Sequence, residues 1–424
     1  MKALRLITSA AAAAAIVFTS TACGKSKNVV KSQNEAVEIT LSWWGNDTRN
    51  EYTIEGVKKF QKLHPEINVD CNYSEWSGYE SRSRVQMISD TEADVMQINY
   101  GWLKQYSPDG TGYYDIESLS DYIDLTNFED KMLEYGRVNG KLNAIPIAMN
   151  VETVYVNKTV YDKYGLALPK TWDDLFAAAE KMSPDGVYPM TAGSKAMWLY
   201  AVSYAEQLSG KRILNEDGSL NFTADDFAAM IEFYKKLVDE KVAPQVEYYE
   251  RKNIDDGTYA GTVAWVSDAK NYCGTAVENG SEMVVSDYTT DGSCAAGVGW
   301  YSKPATMYAI SKNSEHPREA AILLDFLLNS PEMAELQGIE KGIPLSASAR
   351  AYLESEGKLA GLQFDASQKM EVNNCLTPID PIIENGSLID AFTDASNKVM
   401  FDRASLDEAS AQLVEDVNAV LNKQ

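Results

Sequence analysis

The chain has 424 residues and a formal net charge of -24, with 45% hydrophobic and 10% aromatic residues. Such acidity argues against a nucleic-acid partner, which needs a basic surface, and against a broad contact with anionic lipid. Its five cysteines include no Cys-x-x-Cys pair, so neither a zinc nor a dithiol redox motif is present.

Met1 to Ala22 has the parts of an export signal: Lys2 and Arg5 carry the charge, Leu6 to Phe18 the apolar run, and Thr19-Ser20-Thr21-Ala22 the small-residue exit. The apolar run is short for a membrane span. Cys23-Gly24 resembles the lipidation site of a bacterial lipoprotein, although Ser20 stands where such signals usually carry leucine. The resemblance implies an exported protein whose Cys23 carries lipid on the outer face of the cytoplasmic membrane, with no other membrane contact. Residues 23–36 then read as a polar tether. The remaining body of about 390 residues is too long for one core and argues for two lobes.

Val37, Ile39 and Leu41 alternate with polar residues as a strand does, and the strand runs into Trp43-Trp44-Gly45-Asn46-Asp47. Thr48-Arg49-Asn50-Glu51 has capping-box spacing and predicts a helix start. Tyr52, Val57, Phe60 and Leu63 continue that helix to the boundary at His64-Pro65. Ile67 to Tyr73 reads as a second strand leaving through Glu75 and Trp76, followed by a helix over Arg84 to Ile88. A third strand, Asp94 to Ile98, leaves through Asn99, Tyr100, Gly101 and Trp102.

A parallel sheet brings those three exits to one edge, where open α/β sheets bind ligands. An aromatic ring beside amides and carboxylates suits a sugar: the ring covers the C–H face and the polar groups take the hydroxyls. Trp43 is assigned to the core; Trp44 to Asp47 are assigned to the ligand side, against the plainer reading of a helix cap.

Gly140 to Ile147 then leads across to Ala148-Met149-Asn150-Val151-Glu152. Thr171 and Asp174 cap a helix, with Trp172 packing behind it. Helices follow over Met197 to Leu208 and, behind Thr223, Phe227 to Val238. Gly261 to Val266 is a short strand leading to Asp268 and Tyr272. A Gly/Ser-rich connection ends in Trp300-Tyr301-Ser302-Lys303-Pro304, before a strand from Met307 to Ser311 and a helix opened by Pro317. Leu406 to Leu421 is an amphipathic helix.

Motifs for chemistry are sparse. His64 and His316 each lie beside a proline, which disfavours a histidine base, and no nucleophile elbow, phosphate loop, dinucleotide fingerprint or metalloprotease helix occurs. Glu75 and Asp268 are the obvious pair for a carboxylate glycosidase, but in so acidic a chain solvated acids are the plainer assignment. Asp255-Asp256-Gly257 is too short for a calcium loop, and nothing requires a metal or cofactor. Of Cys71, Cys273, Cys294 and Cys375, an exported context permits a Cys273–Cys294 disulfide; buried free thiols are the alternative.

Three longer stretches carry a resemblance. They are Ala93-Asp94-Val95-Met96, Ile145 through Lys158, and Leu168-Pro169-Lys170-Thr171-Trp172-Asp173-Asp174-Leu175. Ala309-Ile310-Ser311-Lys312 with Glu319-Ala320-Ala321 and Lys341-Gly342-Ile343-Pro344 joins them. Together they resemble the substrate-binding lipoproteins of carbohydrate ABC importers, the extracellular solute-binding family that includes the maltose-binding protein.

The resemblance implies a periplasmic-binding-protein-like α/β fold of two lobes, 37–147 with 305–350 and 148–304 with 351–424, closing on an oligosaccharide. It implies a monomer that engages ABC permease subunits and does no catalysis. One lobe would offer Trp44, Asn46, Asp47, Arg49, Glu75, Trp76, Asn99 and Tyr100. The other would offer Asn150, Trp198, Trp265, Asp268, Tyr272, Trp300 and Tyr301. Asn150 stands where the maltose-binding protein has a sugar-contacting glutamate, which argues against a maltose-type ligand. Trp43-Trp44-Gly45, Arg49, Trp76 and Glu340 to Pro344 are similar to importers of plant cell-wall oligosaccharides, including the rhamnogalacturonan type. A uronate ligand would need a cation from Arg49, Lys303 or Lys341. The rival readings are a secreted glycosidase or lyase, and a peptide- or metal-binding relative on the same architecture.

Overall fold

A computed structural model describes residues 36–292, 299–371 and 376–423. The signal, Cys23, the tether up to Glu35, Cys294 and Cys375 lie outside them. Strand β1 (Val37–Trp44) buries Ile39, Leu41 and Trp43. It pairs in parallel with β2 (Ile67–Ser74) and β3 (Val95–Ile98), in register Trp44 with Ser74 and Ser42 with Met96. The three strands therefore end at one edge, as the sequence predicts. Asp94 ties β1 to β3: its Oδ2 accepts from the Thr40 amide and hydroxyl, each at 2.8 Å.

Beyond β3 the sheet turns antiparallel. Its order is β2, β1, β3, then the strand Tyr301–Ile310, the strand Ile145–Asn157 and the strand Gly261–Trp265. The 145–157 strand is buried along all 13 residues. Its first half pairs with 301–310 and its second half with 261–265, and the register shifts on either side of Ala148.

Two main apolar clusters share this strand. Ile145 and Ile147 join the cluster around β1, β3 and the helix Pro317–Asn329, whereas Met149, Val151 and Val154 join the cluster around the helices Trp172–Met182, Ser194–Ser209 and Ala224–Asp239. The neighbouring strand divides likewise, with Tyr301 in the second cluster and Tyr308 in the first. The two long strands thus link two cores, each large enough to hold its own helices in place.

Three local expectations need correction. Helix α1 runs Asp47–Leu63 and is capped by Asn46, whose Oδ1 accepts from the Arg49 amide at 3.0 Å. The extended backbone of Asn46 reaches that amide first, so Thr48 falls inside the first turn and the Thr48–Glu51 box does not form. Helix α2 starts at Trp76 and ends at Ser89, longer than the predicted 84–88. The strand predicted from Met307 begins at Tyr301, because backbone pairing with 145–157 carries it through Pro304. Thr171 caps its helix as expected, and Asp174, expected only to favour the positive helix end, closes a capping box with it.

Candidate functional site

The edge where β1, β2 and β3 end carries an aromatic cluster. The Trp44 ring lies 4.9 Å from Trp76 edge-on and 6.5 Å from Trp102, and Trp76 stacks on Trp102 at 6.1 Å. Tyr79 underlies them, its hydroxyl donating to the Gln97 carbonyl at 2.7 Å and lying 3.1 Å from Ser42 Oγ. Trp76 is the outermost ring, 37% exposed, and Trp44 is half-buried. Trp102, first noted only as part of a loop, is the anchor: α3 (Gly101–Tyr106) buries it to 5% exposure.

Polar groups surround these rings. Asn46 is spent partly on capping α1, Asp47 is exposed at that helix's first turn, and Glu75 is exposed at the cap position of α2 with no side-chain cap bond. Asn99 Oδ1 accepts from the Gly101 amide. Tyr100 packs edge-on to Tyr135 at 6.0 Å, and burial pushes its hydroxyl up to about 12.

The second core supplies different chemistry. Asn150 is buried and both ends of its amide are used on one residue: Nδ2 donates to Ser267 Oγ at 3.0 Å, and Oδ1 accepts from the Ser267 amide at 3.1 Å. Asp268 stands at the N-cap position of the helix Ala269–Glu278 without a side-chain cap bond, and Tyr272 lies half-buried on that helix beneath the Arg251 guanidinium. Trp265, at the end of its strand, is half-buried with Lys303 Nζ 4.3 Å above its ring.

Lys303 in turn donates to Glu384 at 2.6 Å, and Lys195 reaches the other oxygen of that carboxylate at 3.2 Å. Burial alone would raise Glu384, but the two lysines outweigh it and hold its carboxyl below the ordinary value. Burial lowers Lys303, partly offset by Glu384. Behind this group Glu152 is fully buried with neither oxygen hydrogen-bonded. Burial, then the Glu384 charge, raise it well above the ordinary value against the pull of Lys303 and Lys195, so it is a neutral acid. Glu152, Glu384 and Lys195 escaped the sequence reading, and only their shared approach to Lys303 identifies them.

Two open cavities lie along the walls. One, of about 930 Å³, is lined by Asn46, Arg49 and Glu340 together with Ser267, Lys270 and Asn271. The other, of about 610 Å³, is lined by Gly101 and Lys104 together with Asp380, Pro381 and Glu384. Lys104 pairs with Asp380 across it at 2.5 Å.

Four residues expected at the ligand are not on these walls. Trp198 and Trp300 have no exposed surface and give their indole N–H groups to the carbonyls of Ile383 and Thr289. Tyr301 is likewise buried, its hydroxyl donating to Glu206. A tryptophan or tyrosine with its polar atom satisfied inside a core has no face left to stack on a sugar. Lys341 is buried at 3% exposure and donates to Tyr308 Oη at 2.7 Å.

Comparisons with known proteins agree with this architecture. The family model described as bacterial extracellular solute-binding protein matches residues 55–359. An ABC transporter extracellular-binding protein of Pyrococcus horikoshii is 24% identical, with 92% of this chain and 88% of that one covered. Among solved structures, the periplasmic oligogalacturonide binding protein of Yersinia enterocolitica, in complex with saturated digalacturonic acid, is 31% identical with a TM-score of 0.78, over 91% of this chain and 99% of that one. A de novo designed cysteine esterase is 31% identical with a TM-score of 0.86, over 92% of this chain and 99% of that one.

Proposed function

The chain belongs to the bacterial extracellular solute-binding proteins, and from that premise we propose that it binds an oligosaccharide outside the cytoplasm and delivers it to an ABC importer without altering it. The observation that carries the reading is the Trp44–Trp76–Trp102 cluster at three strand ends, with an exposed ring beside free carboxylates. Such a platform stacks on sugar faces while neighbouring polar groups take hydroxyls. The oligogalacturonide-binding neighbour supports the substrate class, and the Pyrococcus relative supports the transporter partner.

The lobes of the proposal are 37–147 with 305–350 and 148–304 with 351–424. The long strands 145–157 and 301–310 run through both cores, so bending near Ala148 opens and closes the cavity lined by Arg49 and Ser267. Ligand contacting both walls shifts the population to the closed form, which a permease recognises. The protein is a monomer held to the membrane by lipid on Cys23.

No chemistry is assigned. Burial pushes the Cys71 thiol up to about 11 and the Cys273 thiol up to about 12, so neither is a nucleophile of the kind an esterase needs. Calorimetry of the mature chain against neutral and acidic oligosaccharides, with chromatography of each sugar afterwards, tests the reading. Saturable binding with the sugar recovered intact supports it; cleavage makes the protein an enzyme, and binding of no glycan sinks it.

A further inference from the structure

The helices of the second core frame a further cavity, of about 670 Å³, that shares no lining residue with the two along the cleft. Trp172 from the helix Trp172–Met182, Tyr204 from Ser194–Ser209 and Phe233 from Ala224–Asp239 form its floor. Its lining residues all fall between Thr171 and Asp291, on one side of the Ala148 bend, so closure of the cleft leaves it unchanged.

The rings fix its shape. Tyr204 lies flat on Phe233, with centroids 3.9 Å apart and planes within 4°. Trp172 is close to perpendicular to both, 5.5 Å from Tyr204 and 5.1 Å from Phe233. Being nearly equidistant from two stacked rings, Trp172 stands at their edge; a ring over the far face of Tyr204 would be much farther from Phe233. Phe233 is buried and Tyr204 half-buried, so the second face of Tyr204 is the one that looks into the cavity. Among the described residues no other ring and no cation covers that face; Lys236, on the same wall, lies over Phe176 instead, at 3.9 Å.

The floor has no polar atom to offer except one. Trp172 Nε1 donates to Gln207 Oε1 at 3.1 Å, and Gln207 Nε2 donates to the Thr289 carbonyl at 3.3 Å. The Tyr204 hydroxyl has no hydrogen bond among the described residues. Burial, then the charges of Glu232 and Asp173, raise it, so it stays protonated and able to donate. Both carboxylates are exposed and neither is in an ion pair among the described residues. A free ring face beside a hydroxyl and two acceptor-only carboxylates matches a sugar, whose C–H face covers the ring and whose hydroxyls donate to the acids. The rim sets Asp173, Glu232 and Asp291 against Lys236, which favours a neutral sugar over an acidic one.

We infer that this cavity is a second saccharide site, which holds a unit of a neutral glycan on Tyr204 without passing it to the importer. A site on one rigid wall cannot enclose its ligand, so each contact is weak. Copies anchored side by side through Cys23, as proposed above, engage one polymer at several points, and the chain is retained by repetition. The inference does not depend on what the cleft binds.

The test is native affinity electrophoresis of the mature full chain in gels holding xyloglucan, galactomannan, soluble β-glucan or polygalacturonate. At least one neutral polymer should retard the wild type. Tyr204→Leu keeps apolar bulk over Phe233 but removes the flat face, and should weaken that retention roughly 5–30-fold. Glu232→Gln, at an exposed position, should weaken it as well, and decides alone if the first variant does not fold. Retention that survives both variants but disappears in Trp76→Ala belongs to the cleft: the inference then falls while the oligosaccharide reading stands. Retardation by polygalacturonate alone, or by none of the polymers, also overturns it.

Discussion

Glu152 gives the most direct physical test of the second core. In the fold it is a neutral acid, buried and without hydrogen bonds, whereas in the unfolded chain it ionises from about pH 4.5 upward. Below that pH both states hold the proton and pH has no effect through this group. Above it the folded state binds one proton more than the unfolded state, so stability falls as pH rises, by about 1.4 kcal/mol per pH unit while the folded acid stays protonated. Glu152→Gln keeps the shape and removes the titration. The stability gap, variant minus wild type, should therefore widen in the variant's favour by about 1.4 kcal/mol between pH 5.5 and 6.5, roughly 3–6 °C for a lobe of this size. Thermal unfolding of both proteins in parallel measures it, and every other titrating group cancels in the difference. A gap independent of pH would mean that Glu152 is ionised in the fold, paired to Lys303 or Lys195, and the assignment of a neutral acid would be wrong.

Trp76→Ala removes the most exposed ring of the aromatic platform. About 1–2 kcal/mol of sugar stacking should go with it, which raises Kd roughly 5–30-fold, while urea unfolding should barely change because the ring is partly in solvent. Asn150→Ala removes both bonds to Ser267, which is exposed and can bond water instead, so the cost in urea unfolding should be about 0.5–1.5 kcal/mol, a loss that binding data alone would miss. Lys104→Ala breaks the pair with Asp380, but Lys104 is two-thirds exposed, so the effect should stay below about 1 kcal/mol. Stopped-flow dissociation should show koff rising by no more than about fivefold, with the difference gone near 0.5 M salt.

The first three strands were legible because their signal is local. Alternation in Val37 to Leu41 and Ile67 to Tyr73 marks the pleat, and a parallel sheet then fixes where Trp44, Trp76 and Trp102 emerge. What could not be read was set by distant partners. Trp76 and Trp198 are both tryptophans on helices, yet Ile383, far along the chain, supplies the carbonyl that makes Trp198 a core residue. Asn46 and Thr48 are both good caps, and backbone conformation chose Asn46. Lys303 was singled out as a cation for a uronate, but its carboxylate, Glu384, lies 81 positions away and no spacing rule joins them. Lys341 was legible as a charge and illegible as a buried one.

The net charge of -24 bears on how an acidic sugar could bind this chain at all. The surface repels such a ligand over long range and should slow its approach, whereas contacts shielded from solvent act only once it has entered the cleft. The two effects separate by distance. At about 0.15 M salt the Debye length is roughly 8 Å, so added salt screens the surface and leaves the buried contacts nearly untouched. For digalacturonate, raising salt from about 0.02 M to 0.3 M should therefore increase kon by a few-fold and change koff little, so that affinity rises with salt. Stopped-flow tryptophan fluorescence at several salt concentrations reads both constants. If kon instead falls with salt, exposed lysines are steering the ligand and the binding cations are on the surface. If koff rises steeply with salt, the carboxylate is held in solvent by exposed cations rather than inside the cleft.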